Sequence, residues 1–192
     1  EVLSGLSNEA TTQEEVVGKD RFFKGMPGES GDYYSPEYND KGGFGERHPW
    51  EESRGIGKSY GFNRAEQLED YCTSQALVEQ LIGIVSKGGN FLLNVGPTAD
   101  GRIPTLQQER LRDIGRWMAV NGEAIYGSDI CRRVNSTDPA CSFTSKGADD
   151  YLITTRWPTE DLHLTLTDGI PPVACTLLCQ GQEVAVPFTV AG

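Results

Sequence analysis

Residues 88–128 read GGNFLLNVGPTADGRIPTLQQERLRDIGRWMAVNGEAIYGS, and this stretch decides the fold. Phe91, Leu92, Leu93 and Val95 form a short apolar run, which predicts a strand covered on both faces. Asp100-Gly101 is turn chemistry. Thr105 followed three residues later by Gln108 fits a capping box opening a helix. Leu111, Ile114 and Met118 then recur at helical spacing. Asn121-Gly122 is expected to close that helix with residues that tolerate positive φ. Strand, turn and amphipathic helix in this order indicate an α/β layer.

Upstream, a second unit of the same kind is legible. Ser74 is a candidate N-cap, Leu77, Leu81 and Ile84 share one helical face, and Gly88 is a candidate C-cap. The expectation is strands at 16–21, about 50–56 and 91–95, parallel in one sheet, with helices near 75–87 and 106–120. From about residue 130 the character changes. FTSKGADDYLITTRW, LHLTLTD, ACTLLCQ and EVAVPFTV are short β-rich runs parted by Gly, Pro and Asp. They predict an antiparallel sandwich.

Composition bounds the function. Hydrophobic residues make up 37% and charged residues 23% of the chain, as in a globular protein. A net charge of −11 argues against nucleic acid and against anionic membrane surfaces as partners. No apolar run reaches the length of a membrane span, and no signal peptide is recognisable. The five cysteines, Cys72, Cys131, Cys141, Cys175 and Cys179, lack the paired spacing of a zinc site. With only His48 and His163 besides, no metal centre is expected. Cys131 and Cys141 flank the turn-rich NSTDPA and are a disulfide candidate. A bridge between Cys175 and Cys179 along one strand would be strained. Asn135-Ser136-Thr137 is a glycosylation sequon. Sequon and cysteines together suggest a secreted or lysosomal protein. Residues 24–48, rich in Gly, Pro and charge, read either as a surface linker or as a functional loop.

Four blocks in order carry a resemblance. They are VVGKDR (16–21), YYSPEY (33–38), RHPWEESRGIGKSYGFNR (47–64) and the run quoted first, from NFLLNVGPTADGRIP to NGEAIYG. Together they resemble the α-L-fucosidases, glycoside hydrolase family 29. Lys19 departs from the family, which has Asn there. The resemblance implies a (β/α)8-like barrel followed by a C-terminal β domain. Such a barrel needs about 250 residues, and the chain has 192. The expectation is therefore the second half of the barrel over 1–128 and a β-sandwich over 129–192. The implied reaction is hydrolysis of terminal α-L-fucose with retention of configuration and without a cofactor. A retaining glycosidase uses two carboxyl groups, a nucleophile and a general acid/base.

By resemblance Glu37 takes the acid/base position, shielded by Tyr34 and Tyr38. Glu51 in the Trp-Glu step is the alternative, or else a sugar ligand. Arg21 is implied to bind a fucose hydroxyl, with a surface ion pair as the other reading. Trp50 offers an aromatic face to a sugar, or is core. Tyr60 and Tyr38 match positions that pack aromatic rings against the C6 methyl of fucose, and Tyr60 too could be core. The family's nucleophile, an Asp on barrel strand four, has no counterpart here; Asp20, Asp32 and Asp40 do not sit in its motif. The chain alone is therefore expected to be inactive. Its open edge is expected to be covered by the N-terminal barrel half or another chain, and the substrate to be a fucosylated glycan. A truncated, non-catalytic homologue serving as a binding or structural subunit is the alternative.

Overall fold

The computed structural model describes residues 35, 37, 49–179 and 182–190. The expected strand at 16–21 lies outside them. Strand β1 (Trp50–Gly55) and strand β2 (Gly89–Asn94) pair in parallel, Trp50 opposite Gly89 through Gly55 opposite Asn94. Helix α1 (Ser74–Val85) joins them. A bridge from Ile56 N–H to Asn94 O, 2.9 Å, carries the pairing one residue further. Helix α2 (Thr105–Asn121) follows and packs on α1. Both helices and strand β2 fall where the hydrophobic spacing predicts them, and β1 where the resemblance does.

Pleating sorts the sheet's side chains onto two faces. Trp50, Glu52 and Arg54 share a face with Gly89, Phe91 and Leu93. That face meets α1: Trp50 and Ile84 are buried together, with Phe91 packed against them. Leu77 and Ile82 are buried from the same helix. The other face carries Glu51, Ser53, Gly55, Asn90, Leu92 and Asn94. There Leu92 is 49% exposed, so cover on both faces, predicted for this strand, is not met among the described residues.

The helix ends differ in detail from their predicted caps. Thr73, not Ser74, is the N-cap of α1, and its hydroxyl accepts from Ala76 N–H at 3.1 Å. Ser74 instead donates to Asp113 of α2, beside Arg110, which reaches Cys72 O at 3.1 Å. The box expected at Thr105 and Gln108 is absent. Pro104 occupies the N-cap, and the Gln108 amide turns back to Ile103 O at 2.7 Å. Gly88 does turn at positive φ, 77°, and so does Gly101 at 80°. Gly122 does not: at φ −60° it continues into a 3-10 turn, Gly122–Ala124.

Beyond that turn every strand pairing among the described residues is antiparallel, as expected. Strands β3 (Asp129–Ile130), β5 (Cys141–Lys146) and β6 (Asp149–Thr154) form one sheet with β5 central. Strand β4 (Val134–Asn135) pairs with β7 (Thr165–Leu166), and β8 (Thr176–Cys179) with β9 (Gln182–Ala185). The sheet is tied at two points to the 3-10 turn and at a third to Tyr126 just after it. Buried Thr144 donates to Ala124 O at 2.7 Å. The Tyr151 hydroxyl donates to Glu123 Oε1 at 2.6 Å, and Lys146 Nζ to Tyr126 O at 2.8 Å.

Cys131 and Cys141 do not form the expected disulfide; both are free thiols. Strand β3 ends at Ile130, opposite Thr144, while Cys141 starts β5 opposite Thr154. The Cys131 thiol faces Asp150 Oδ1 at 3.6 Å, and burial pushes the Cys141 thiol up from its ordinary value. Asn135 of the sequon is exposed on β4. Among the described residues no helix is long and apolar enough to cross a membrane.

Candidate active site

Parallel strands send their C-terminal ends, and the loops after them, to the same side of the sheet. Gly55 and Asn94 are register partners at that end. The loop after β1 folds back over it. Tyr60, half-buried, donates its hydroxyl to Ser53 O at 2.8 Å, with Ser53 Oγ at 3.4 Å. Asn94, from β2, donates its side-chain amide to Tyr60 O. Ser59 N–H bonds Glu66 Oε1 at 2.7 Å, and Lys58 bridges to Asp70 at 2.6 Å. That ion pair raises the lysine's pKa and lowers the aspartate's. Two glycines make the fold-back sterically possible. A Cβ on Gly55 would lie 2.6 Å from Ser59 O, and one on Gly96 would lie 2.5 Å from Phe62 N.

Glu37 arrives from the other side of β1. It is exposed and bridges Ser53 in the parallel sense. One residue, Ser53, thus brings together two of the predicted site residues, Glu37 and Tyr60. Leu92, the register partner of Ser53, gives this face an apolar floor. A carboxyl group, an aromatic ring, a hydroxyl and an apolar side chain at one strand can hold a sugar and move a proton to it.

The remaining candidates divide. Glu51 is half-buried two residues before Ser53, on the same face. Trp50 is not at this end and offers no surface to a sugar. It is the first residue of β1, wholly buried on the face towards α1, with its indole N–H on Lys87 O at 3.2 Å. Arg21 and Tyr38 lie outside the described residues, as does Tyr34. No group of three or more His, Cys, Asp or Glu side chains suited to a metal occurs among the described residues.

Ser53, Asn94 and the Glu52–Arg54 pair escaped the sequence reading. Glu52 is wholly buried, and Arg54 Nη2 meets its Oε1 at 3.0 Å. Spacing by two residues in a strand puts opposite charges on one face, and that signal was available at Glu-x-Arg. For Ser53 and Asn94 no local signal exists, because their partners lie 7 and 34 residues away.

Ser53 thus neighbours Glu37 through a backbone bridge and Tyr60 through its hydroxyl. Comparison with known proteins identifies the family. The Alpha-L-fucosidase family model matches residues 1–123. The chain is 41% identical to an alpha-L-fucosidase of Branchiostoma floridae, covering 88% of this chain and 37% of that protein. It is 43% identical to the plasma alpha-L-fucosidase of Rattus norvegicus, covering 81% and 35%. Among solved structures it is similar to the Thermotoga maritima alpha-L-fucosynthase variant TmD224G in complex with alpha-L-Fuc-(1-2)-beta-L-Fuc-N3. That match has 42% identity and a TM-score of 0.59, over 67% of this chain and 29% of that one. The chain belongs to the alpha-L-fucosidase family of glycoside hydrolases. It spans little more than a third of the length of these two curated relatives.

Proposed function

We propose that this chain is the part of a retaining α-L-fucosidase that supplies the general acid/base for hydrolysis of terminal α-L-fucose from glycans. The observation that carries the reading is that Ser53, within the stretch that matches the family, pairs by backbone with Glu37 and accepts the Tyr60 hydroxyl. In the reaction Glu37 protonates the departing glycosidic oxygen while an aspartate attacks the anomeric carbon. Glu37 then takes a proton from the water that releases fucose. Tyr60 faces the deoxysugar's C6 methyl, the apolar handle that separates fucose from other hexoses. Glu51 holds a sugar hydroxyl; it is also the second choice for the acid/base. Arg21 and Tyr38 complete the sugar site, and the chemistry needs no cofactor.

The same reading assigns residues 1–128 to a (β/α)8-like barrel and 129–192 to a β-sandwich. Two features support a barrel completed by other polypeptide: Leu92 is exposed, and among the described residues β2 pairs only with β1. An unpaired edge and an open apolar face favour cover. No aspartate of residues 1–192 matches the nucleophile's motif, so the isolated polypeptide turns over no fucoside. Exposed Asn135 and the plasma relative support a secreted or lysosomal setting.

The test is Glu37→Gln in the fucosidase that contains this chain. Substrates with poor leaving groups should lose activity by about 100-fold or more, the usual range for general acid catalysis. Aryl fucosides with good leaving groups should be spared at the first step, and azide should restore turnover. Equal losses on both, without rescue, would move the role to Glu51.

A further inference from the structure

We infer that Phe62 is a specificity-determining residue: its ring is the stacking surface for the sugar that leaves when fucose is released. The inference rests on the proposed fucosidase reading and deepens it, because it concerns the leaving group rather than fucose.

Phe62 is 39% exposed, yet its backbone is held from several sides. Two residues before it, Tyr60 is fixed by its hydroxyl on Ser53 and by Asn94 on its carbonyl. Gly96 lies so close that a Cβ there would come within 2.5 Å of Phe62 N and 2.6 Å of Gly61 C. On the other side, Asn63 bonds Ser59 Oγ at 3.1 Å through its amide and Ala65 N–H at 3.0 Å through its oxygen. An aromatic side chain free to choose would turn away from water, since its burial is favourable. Here the loop is fixed on both flanks of Phe62 while the ring stays partly open.

Its position indicates the occupant. Phe62 sits at the C-terminal ends of β1 and β2, beyond Tyr60 and the Glu37–Ser53 bridge. A group bonded to fucose and protonated by Glu37 must lie next to the fucose pocket and further out. Pyranose rings present a face of C–H groups to an aromatic ring while their hydroxyls stay wet, a surface half-open Phe62 suits.

The experiment compares two substrates in the fucosidase that contains this chain. A fucosyl disaccharide leaves behind a sugar; α-L-fucosyl fluoride leaves behind no ring. Phe62→Ala should lower kcat/KM for the disaccharide about tenfold, equivalent to about 1.4 kcal/mol, and change that for the fluoride by less than about twofold. Phe62→Trp, which keeps a ring, should retain the disaccharide activity. Equal losses on both substrates would make Phe62 a structural residue, and no loss on either would place the leaving group elsewhere; both overturn the inference. Wild-type protein that hydrolyses neither substrate would overturn the fucosidase reading itself, a separate outcome.

Discussion

Adding one methyl group to Gly89 should unfold this protein more easily, while the same change at Gly83 should make it harder to unfold. Gly89 is the register partner of Trp50. A Cβ there would stand 2.5 Å from Cε2 and Cζ2 of the indole and 2.7 Å from Cη2. Carbon atoms rest at about 3.5–4.0 Å, so the ring must retreat by roughly 1 Å. It has nowhere to go. Trp50 is wholly buried against Ile84 and Phe91, and its N–H is held by Lys87 O. Overpacking of this kind costs about 1–3 kcal/mol. For a chain of this size each kcal/mol moves the melting temperature by about 2–4 °C, so Gly89→Ala should lower Tm by about 2–12 °C. Gly83 lies inside α1, and a Cβ there meets nothing within 4 Å. Gly83→Ala removes only the helix penalty of glycine and should gain about 0.5–1 kcal/mol. Thermal unfolding followed by circular dichroism reads both. A neutral Gly89→Ala, or shifts of the same sign at both sites, would refute the packing of Trp50 over Gly89.

Tyr151 carries a pH prediction: burial, then its bond to Glu123, pushes its pKa up to about 12, against about 10 in an unfolded chain. The folded state therefore holds this proton more tightly, so the stabilisation is complete below pH 10 and lost as pH rises from 10 towards 12. Spectrophotometric titration at alkaline pH should show one tyrosine ionising late, and Tyr151→Phe should abolish that late step. Thr144→Val should cost about 1–3 kcal/mol in urea unfolding, because it keeps the shape and strands the Ala124 carbonyl without its donor; a cost below about 0.5 kcal/mol would mean that water replaces the hydroxyl.

The helices were legible because their message is local. Leu77, Leu81 and Ile84 repeat at the helical period whatever surrounds them. Strand β1 was another matter. WEESRG carries no apolar alternation, because an ion pair, Glu52 with Arg54, fills positions on the face where hydrophobic residues would be expected; only the resemblance located it. Trp50 was read as a possible sugar platform because its neighbours in sequence are charged. What buries it is Gly89, a residue 39 positions away that is small at the right register position. The caps failed for a related reason. Thr73 and Ser74 are both competent N-caps, and the contact of Ser74 with Asp113 on the next helix decides between them. Around Ser53, the links to Glu37 and to Tyr60 depend on strand pairing and loop closure, which sequence spacing does not encode.

The 3-10 turn at Gly122–Ala124 has a consequence for how the polypeptide acquires its shape. Synthesis runs from N- to C-terminus, so β1, α1, β2 and α2 emerge before any of the antiparallel strands. Units that leave the ribosome first generally fold first, even though the parallel β1–β2 pairing closes 39 residues while the β5–β6 hairpin is local. The turn that ends α2 then stands ready with Glu123 Oε1, Ala124 O and Tyr126 O as acceptors. When β5 and β6 arrive as a hairpin, Thr144, Lys146 and Tyr151 find those three acceptors on a surface already made. A lesion in the turn should therefore be felt in the docking of strands that contain no altered residue, since Thr144, Lys146 and Tyr151 all bond to it or to the residues just after it.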